Sequence, residues 1–170
     1  MDVYMVVLRI VHILAGVFWV GSALLIFYFI QPAAREVGPG AGPLMTHLVQ
    51  NKRLPDVTLG AAGLTILAGL LMYWRVSNGL DTDWISSSYG IAITVGAVSA
   101  IAAVAIGASI VRPSMAKAGQ IAQSAAAAGG PTPEQGAEIQ ALQQRVRVAG
   151  NIVTPLLILA VVAMASAQYL

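Results

Sequence analysis

Cysteine is absent from all 170 residues. Without thiols the chain has no disulfide, no thiolate zinc or iron–sulfur site, and no covalently attached c-type haem, which needs a Cys-x-x-Cys-His run. Charge is nearly as scarce. Asp, Glu, Lys and Arg make up 9% of the residues, against about a quarter in a soluble domain. So few charges cannot coat a water-facing surface. With 58% hydrophobic residues and a mean hydropathy of +0.79, the class is an integral membrane protein. The net charge of +2 is too small to imply a nucleic-acid partner. No carboxylate falls inside any long apolar run, which argues against a proton pump. No phosphate loop and no nucleophile beside a base is seen either, so no substrate is named.

What is present is four apolar stretches. A bilayer crossing needs about 20 mostly apolar residues, and residues 4–30, 57–74, 89–111 and 152–169 qualify. The expectation is an all-α, antiparallel up-down four-helix transmembrane bundle in one membrane domain spanning 1–170. Asp2 and the length of the first run are unlike a cleaved signal peptide, so that run reads as a retained helix.

The connections are uneven. Residues 31–56 contain the turn-forming "VGPGAGP". A helix is expected from Pro43, a favourable first position, feeding the second span with a kink near Pro55. Residues 112–151 should continue the third helix through an Ala-rich stretch, break at "GGPTP", and restart. Thr132 suits the N-cap, Pro133 the first turn, and Gln135 completes a capping-box pattern. The restarted helix should run into the fourth span, giving a helical hairpin beyond the membrane that serves as connector or docking surface. Pro155 predicts a kink within that span.

Positive charge sets an expected orientation. Arg35, Lys52 and Arg53 lie in one long loop, and Arg112, Lys117, Arg145 and Arg147 in the other. The short second loop has Arg75 opposed by Asp81 and Asp83. The positive-inside rule then places both long loops in the cytoplasm and both termini outside. Tyr4, Tyr73, Trp74, Trp84, Tyr89 and Tyr169 would form an outer aromatic belt. Small residues in the second helix (Gly60, Gly63, Gly69) and the third (Gly96, Ala100, Ala103, Gly107) predict tight helix contacts.

The first helix carries a polar stripe. Leu8, Arg9, His12, Ala15, Gly16 and Trp19 share one face, since residues three, four and seven apart are neighbours. His12 is roughly 12 Å inside the span, at ~1.5 Å rise per residue. Arg9 is shallower and can snorkel. A polar group in hydrocarbon costs several kcal/mol without a partner, on the order of 2–7, so His12 must face the interior and be bonded or liganded. Three readings stay open: a histidine bonded to a facing carbonyl or hydroxyl, a haem ligand, and a copper or proton pathway. Hydroxyl partners in the other spans are Thr58, Thr65, Thr94, Ser99, Ser109, Thr154 and Ser166. For haem, Ala15 and Gly16 would make room for a flat macrocycle and Arg9 would reach a propionate. The second histidine, His47, forms a Met-x-His pair with Met45, a weak soft-metal signal. It lies near the opposite interface, as His12 is roughly 28 Å from that side. One chain therefore cannot clamp a haem between its two histidines, whereas a symmetric homodimer using His12 from each copy can.

The stretch "LRIVHILAGVFWVG" resembles the first helix of the HemJ-type bacterial protoporphyrinogen oxidases and the copper-resistance D (CopD)-like membrane proteins. Arg9, His12, Trp19 and Gly21 carry the match, and "QPAAREVGP" is similar to uncharacterised four-helix relatives. The resemblance implies a bundle in the bacterial inner membrane and haem b with its iron on His12, Arg9, Gly16 and Trp19 being the surrounding cofactor-binding residues. The oxidases' Leu-Pro-Arg segment and second histidine are replaced here by "LLIFYFIQPA", so it is to the superfamily rather than to the oxidase itself. The expected function is a b-haem-binding membrane protein in a redox or haem-related role. The alternatives are a non-catalytic membrane subunit or scaffold that docks a partner, and a small copper or solute transporter. The expected partners are the lipid bilayer and a homodimer or larger membrane complex.

Overall fold

The computed structural model describes residues 2–170. Six helices follow one another: α1 (Val3–Val37), α2 (Gly42–Thr46), α3 (Leu54–Val76), α4 (Thr82–Ser86), α5 (Ser88–Ala127) and α6 (Pro133–Tyr169). No strand occurs among the described residues. α1, α3, α5 and α6 are long and apolar enough to cross a membrane. The chain is thus an all-α, four-helix, multi-pass membrane protein, and each expected span falls within one long helix.

Packing is strongest within two antiparallel pairs, α1 with α3 and α5 with α6, while α3–α5 and α1–α6 contacts close the ring. Trp19 fills the centre at 6% exposure, among Ala23, Ala62, Ala100, Ala103, Val153 and Leu157. One large indole surrounded by alanines from the other helices lets four backbones converge, as small residues do in membrane bundles.

Glycines mark the closest crossings. A Cβ on Gly96 would stand 2.7 Å from Met164 of α6. One on Gly150 would collide with the Phe27 ring of α1. Gly60, Gly63 and Gly107 meet nothing within 4 Å, so the tight contacts expected of most small residues in the second and third helices do not form at these three. Helix twist carries Gly60 and Gly63 onto the outer surface, where lipid needs no close fit, and Gly107 borders an inner cavity.

The ends of the bundle differ. At one end, short turns join α3, α4 and α5, and Trp84 stacks edge-on between Tyr73 and Tyr89, with centroids 5.3 and 5.7 Å away. The Tyr73 hydroxyl meets Thr94 Oγ1 at 2.7 Å. At the other end the hairpin projects. Thr132 Oγ1 accepts from the Gln135 N–H, and Gln135 Oε1 accepts from the Thr132 N–H, so the capping box forms as expected. The first-turn N–H of Glu134 and the Thr132 hydroxyl hold the Glu134 carboxyl below its ordinary pKa. Lys117 bridges to Glu138 across the hairpin at 2.5 Å. Gln50 Nε2 donates to the Ala116 carbonyl at 3.1 Å, tying the first long connection onto it.

One detail differs from expectation. The segment from Pro43 does not continue into α3 with a kink. α2 stops at Thr46, a π turn covers His47–Asn51, and Arg53 takes a left-handed φ of 51°. Pro55 then sits in the first turn of α3, where its missing N–H leaves no gap. Pro155 lies inside one continuous helix, α6. π turns also interrupt α1 at Ile26–Ile30 and α5 at Gly107–Val111. Each ends two residues before a proline, Pro32 and Pro113. A proline ring clashes with the carbonyl four residues back, here Tyr28 and Ser109, and a widened turn relieves that clash.

Candidate functional site: the His12 stripe

His12 is half-buried between α1 and α3. Its Nδ1 lies 2.8 Å from the Thr65 carbonyl oxygen. A carbonyl only accepts, so Nδ1 carries the proton, and in the neutral ring Nε2 keeps its lone pair. Thr65 is itself buried, and its hydroxyl donates to the Ala61 carbonyl at 2.8 Å. The imidazole lies directly on the backbone of α3, because a Cβ on Gly69 would be 2.9 Å from His12 Cε1. One turn along α1, a Cβ on Gly16 would be 3.4 Å from Thr65 Cγ2. His12 and Gly16 therefore straddle Thr65.

The other stripe residues go elsewhere. Arg9 is exposed and has neither an ion pair nor a side-chain hydrogen bond among the described residues. Trp19 points into the central core. His47 is exposed and opens the π turn at the hairpin end, so the structure does not bring it to His12. Among the described residues no three His, Asp or Glu side chains gather as a metal-binding group.

A haem is tested here by chemistry and by space. The chemistry suits it: a ring whose Nδ1–H is held by a backbone carbonyl presents Nε2 as a ligand. The space does not. The room expected beside Gly16 is filled by Thr65, and the ring edge rests on Gly69. Trp19, the third member of the expected haem site, is walled in by alanines. Within one chain a macrocycle does not fit between α1 and α3, and only the half of the ring that α3 leaves uncovered remains open.

A small cavity of about 70 Å³ lies deeper, between Trp19, Thr58, Ala62, Val104 and Val153. The Thr58 hydroxyl is buried there without a partner. At the hairpin-end boundary, Asp56 accepts from Arg112 Nε at 2.7 Å and from Arg53 Nε at 3.1 Å. This pins the start of α3 to α5.

Sequence reasoning identified His12 and its need of a partner but not Thr65's carbonyl or Gly69. A backbone acceptor has no residue signature. Gly69 was visible only as one small residue among several. No family model, curated protein or solved structure matches the chain.

Proposed function

We propose that the chain is a non-catalytic membrane subunit, a scaffold that presents its helical hairpin to a partner at the membrane surface. The observation that carries this reading is the use of His12. Its Nδ1–H is spent on the Thr65 carbonyl, so the most polar group in the membrane interior supports the bundle's own packing. The hairpin, by contrast, is braced three ways: by its cap, by Lys117–Glu138 and by Gln50–Ala116. Such bracing suits a surface that must hold one shape. The seven Lys and Arg of the two long connections support a cytoplasmic hairpin with both termini outside, and the resemblance to the HemJ/CopD-like bundles supports a bacterial inner membrane.

The experiment is photo-crosslinking in cells from Gln140, exposed on the hairpin, and from Leu64, exposed on the apolar face of α3. A discrete protein adduct from Gln140 and none from Leu64 is the expected result. No adduct from Gln140 or from neighbouring exposed hairpin positions would overturn the reading.

A second reading keeps haem b at His12, shared with a second copy of the chain across the uncovered half of the ring. It is supported by the Nδ1–H bond, which leaves Nε2 available, and by the resemblance to the HemJ/CopD-like bundles. A Soret band in protein purified from haem-replete cells, lost in His12→Ala, would favour it over the scaffold.

A further inference from the structure

A groove of about 680 Å³ runs between α5 and α6 at the root of the hairpin. Ile106 and Ile110 line it from α5, and Val148 and Ile152 from α6. Three of these four are strongly exposed: Ile110 at 41%, Val148 at 50% and Ile152 at 48%. Above this apolar floor the groove is flanked by two cations, Lys117 of α5 and Arg145 of α6. Lys117 stands seven residues beyond Ile110, and Arg145 stands seven residues before Ile152. Lys117 is thus roughly 10 Å along its helix from Ile110, whereas Arg145 lies within one turn, roughly 5 Å, of Val148. The bilayer's polar layer is about 5–7 Å thick on each side of the hydrocarbon, and Lys and Arg side chains bend back toward it. At these distances from the apolar floor the Lys117 ammonium and the Arg145 guanidinium are within reach of a lipid phosphate.

We infer that this groove is a binding site for one anionic phospholipid, with its phosphate between Lys117 and Arg145 and an acyl chain along Ile106, Ile110, Val148 and Ile152. Charge complementarity selects this occupant over a zwitterionic lipid. Arg145 has no carboxylate within 4 Å among the described residues, so its charge is available to a ligand. Lys117 is shared, because Glu138 already pairs with it at 2.5 Å. A bound phosphate competes with Glu138 for that ammonium. Removing the Glu138 charge should therefore tighten the site, and removing either cation should weaken it. The π turn at Gly107–Val111 contributes Ser109 and Ile110 to the lining, so the bulge that accommodates Pro113 also shapes the pocket.

The test is native mass spectrometry and thermal unfolding of the full chain in detergent, titrated with phosphatidylglycerol or phosphatidylcholine of identical acyl chains. The expected result is one retained phosphatidylglycerol per chain, with a saturable rise in unfolding midpoint that phosphatidylcholine does not reproduce. Lys117→Gln and Arg145→Gln should each weaken that binding about fivefold, as expected for one cation near a lipid surface. Glu138→Gln should strengthen it, and Arg75→Gln at the far end should leave it unchanged. The strengthening arm keeps the test decisive if a cation variant folds poorly. Equal stabilisation by both lipids would mean ordinary annular lipid and overturn the site. So would a phosphatidylglycerol preference that survives Lys117→Gln/Arg145→Gln. Competition by millimolar inorganic phosphate alone would overturn the lipid and leave a bare anion site.

Discussion

Gly69→Ala and Gly63→Ala should behave oppositely, although both glycines lie in the middle of one helix. The first adds a methyl group 2.9 Å from His12 Cε1 and should cost about 1–3 kcal/mol by overpacking. The second meets nothing within 4 Å and should be neutral or gain up to about 1 kcal/mol from helix propensity. Unfolding midpoints in detergent check the pair, and equal effects would mean that His12 does not rest on α3. Thr58→Val is expected to hold or raise the midpoint, since it removes a buried hydroxyl that has no partner. A clear loss would show the hydroxyl bonded to water in the adjoining cavity. At this scale the sequence reveals which side chain is in difficulty but not what relieves it. His12 is conspicuous because imidazole in hydrocarbon is costly. Its acceptor is a carbonyl that every residue possesses. Trp19 shares the helix face of His12 yet serves another purpose, because the stripe drifts by about 20° per heptad and the four helices converge at its depth.

Helix boundaries are the most legible features at the level of elements. The Thr132–Gln135 box stands where its pattern places it, and Thr132→Ala should cost about 1 kcal/mol. Faster amide exchange in the first turns of α6, without a change in the membrane spans, is the measurement. The Asp56 contacts to Arg112 and Arg53 are partly exposed, so Asp56→Ala should cost no more than about 1 kcal/mol. A larger drop in unfolding midpoint would mean that the pair carries more of the α3–α5 contact than its exposure allows. The interruptions were harder to foresee. A proline after an apolar run reads equally well as a kink, a break or a first turn. The structure uses a π turn before Pro32 and Pro113, a new helix at Pro55, and an unbroken helix through Pro155. What separates these outcomes is whether neighbouring backbone can absorb the extra residue, which depends on packing and not on local sequence.

For the molecule as a whole, the number of crossings follows directly from apolar run length, whereas the pairing of helices does not. Gly69 meeting α1 and Gly96 meeting α6 depend on helix rotation, which composition leaves free. Orientation is testable because native cysteine is absent. Thr82→Cys should react with an impermeant maleimide in intact cells and Ser124→Cys should not. The reverse pattern would invert the topology. The central claim is that His12 binds α1 to α3 through the Thr65 carbonyl, and side-chain ¹⁵N NMR of His12 in lipid nanodiscs tests it most directly. The expected spectrum is diamagnetic, with the proton on Nδ1, a bare Nε2, and a scalar coupling across the hydrogen bond to Thr65. A proton on Nε2 alone, with no coupling to Thr65, would contradict it.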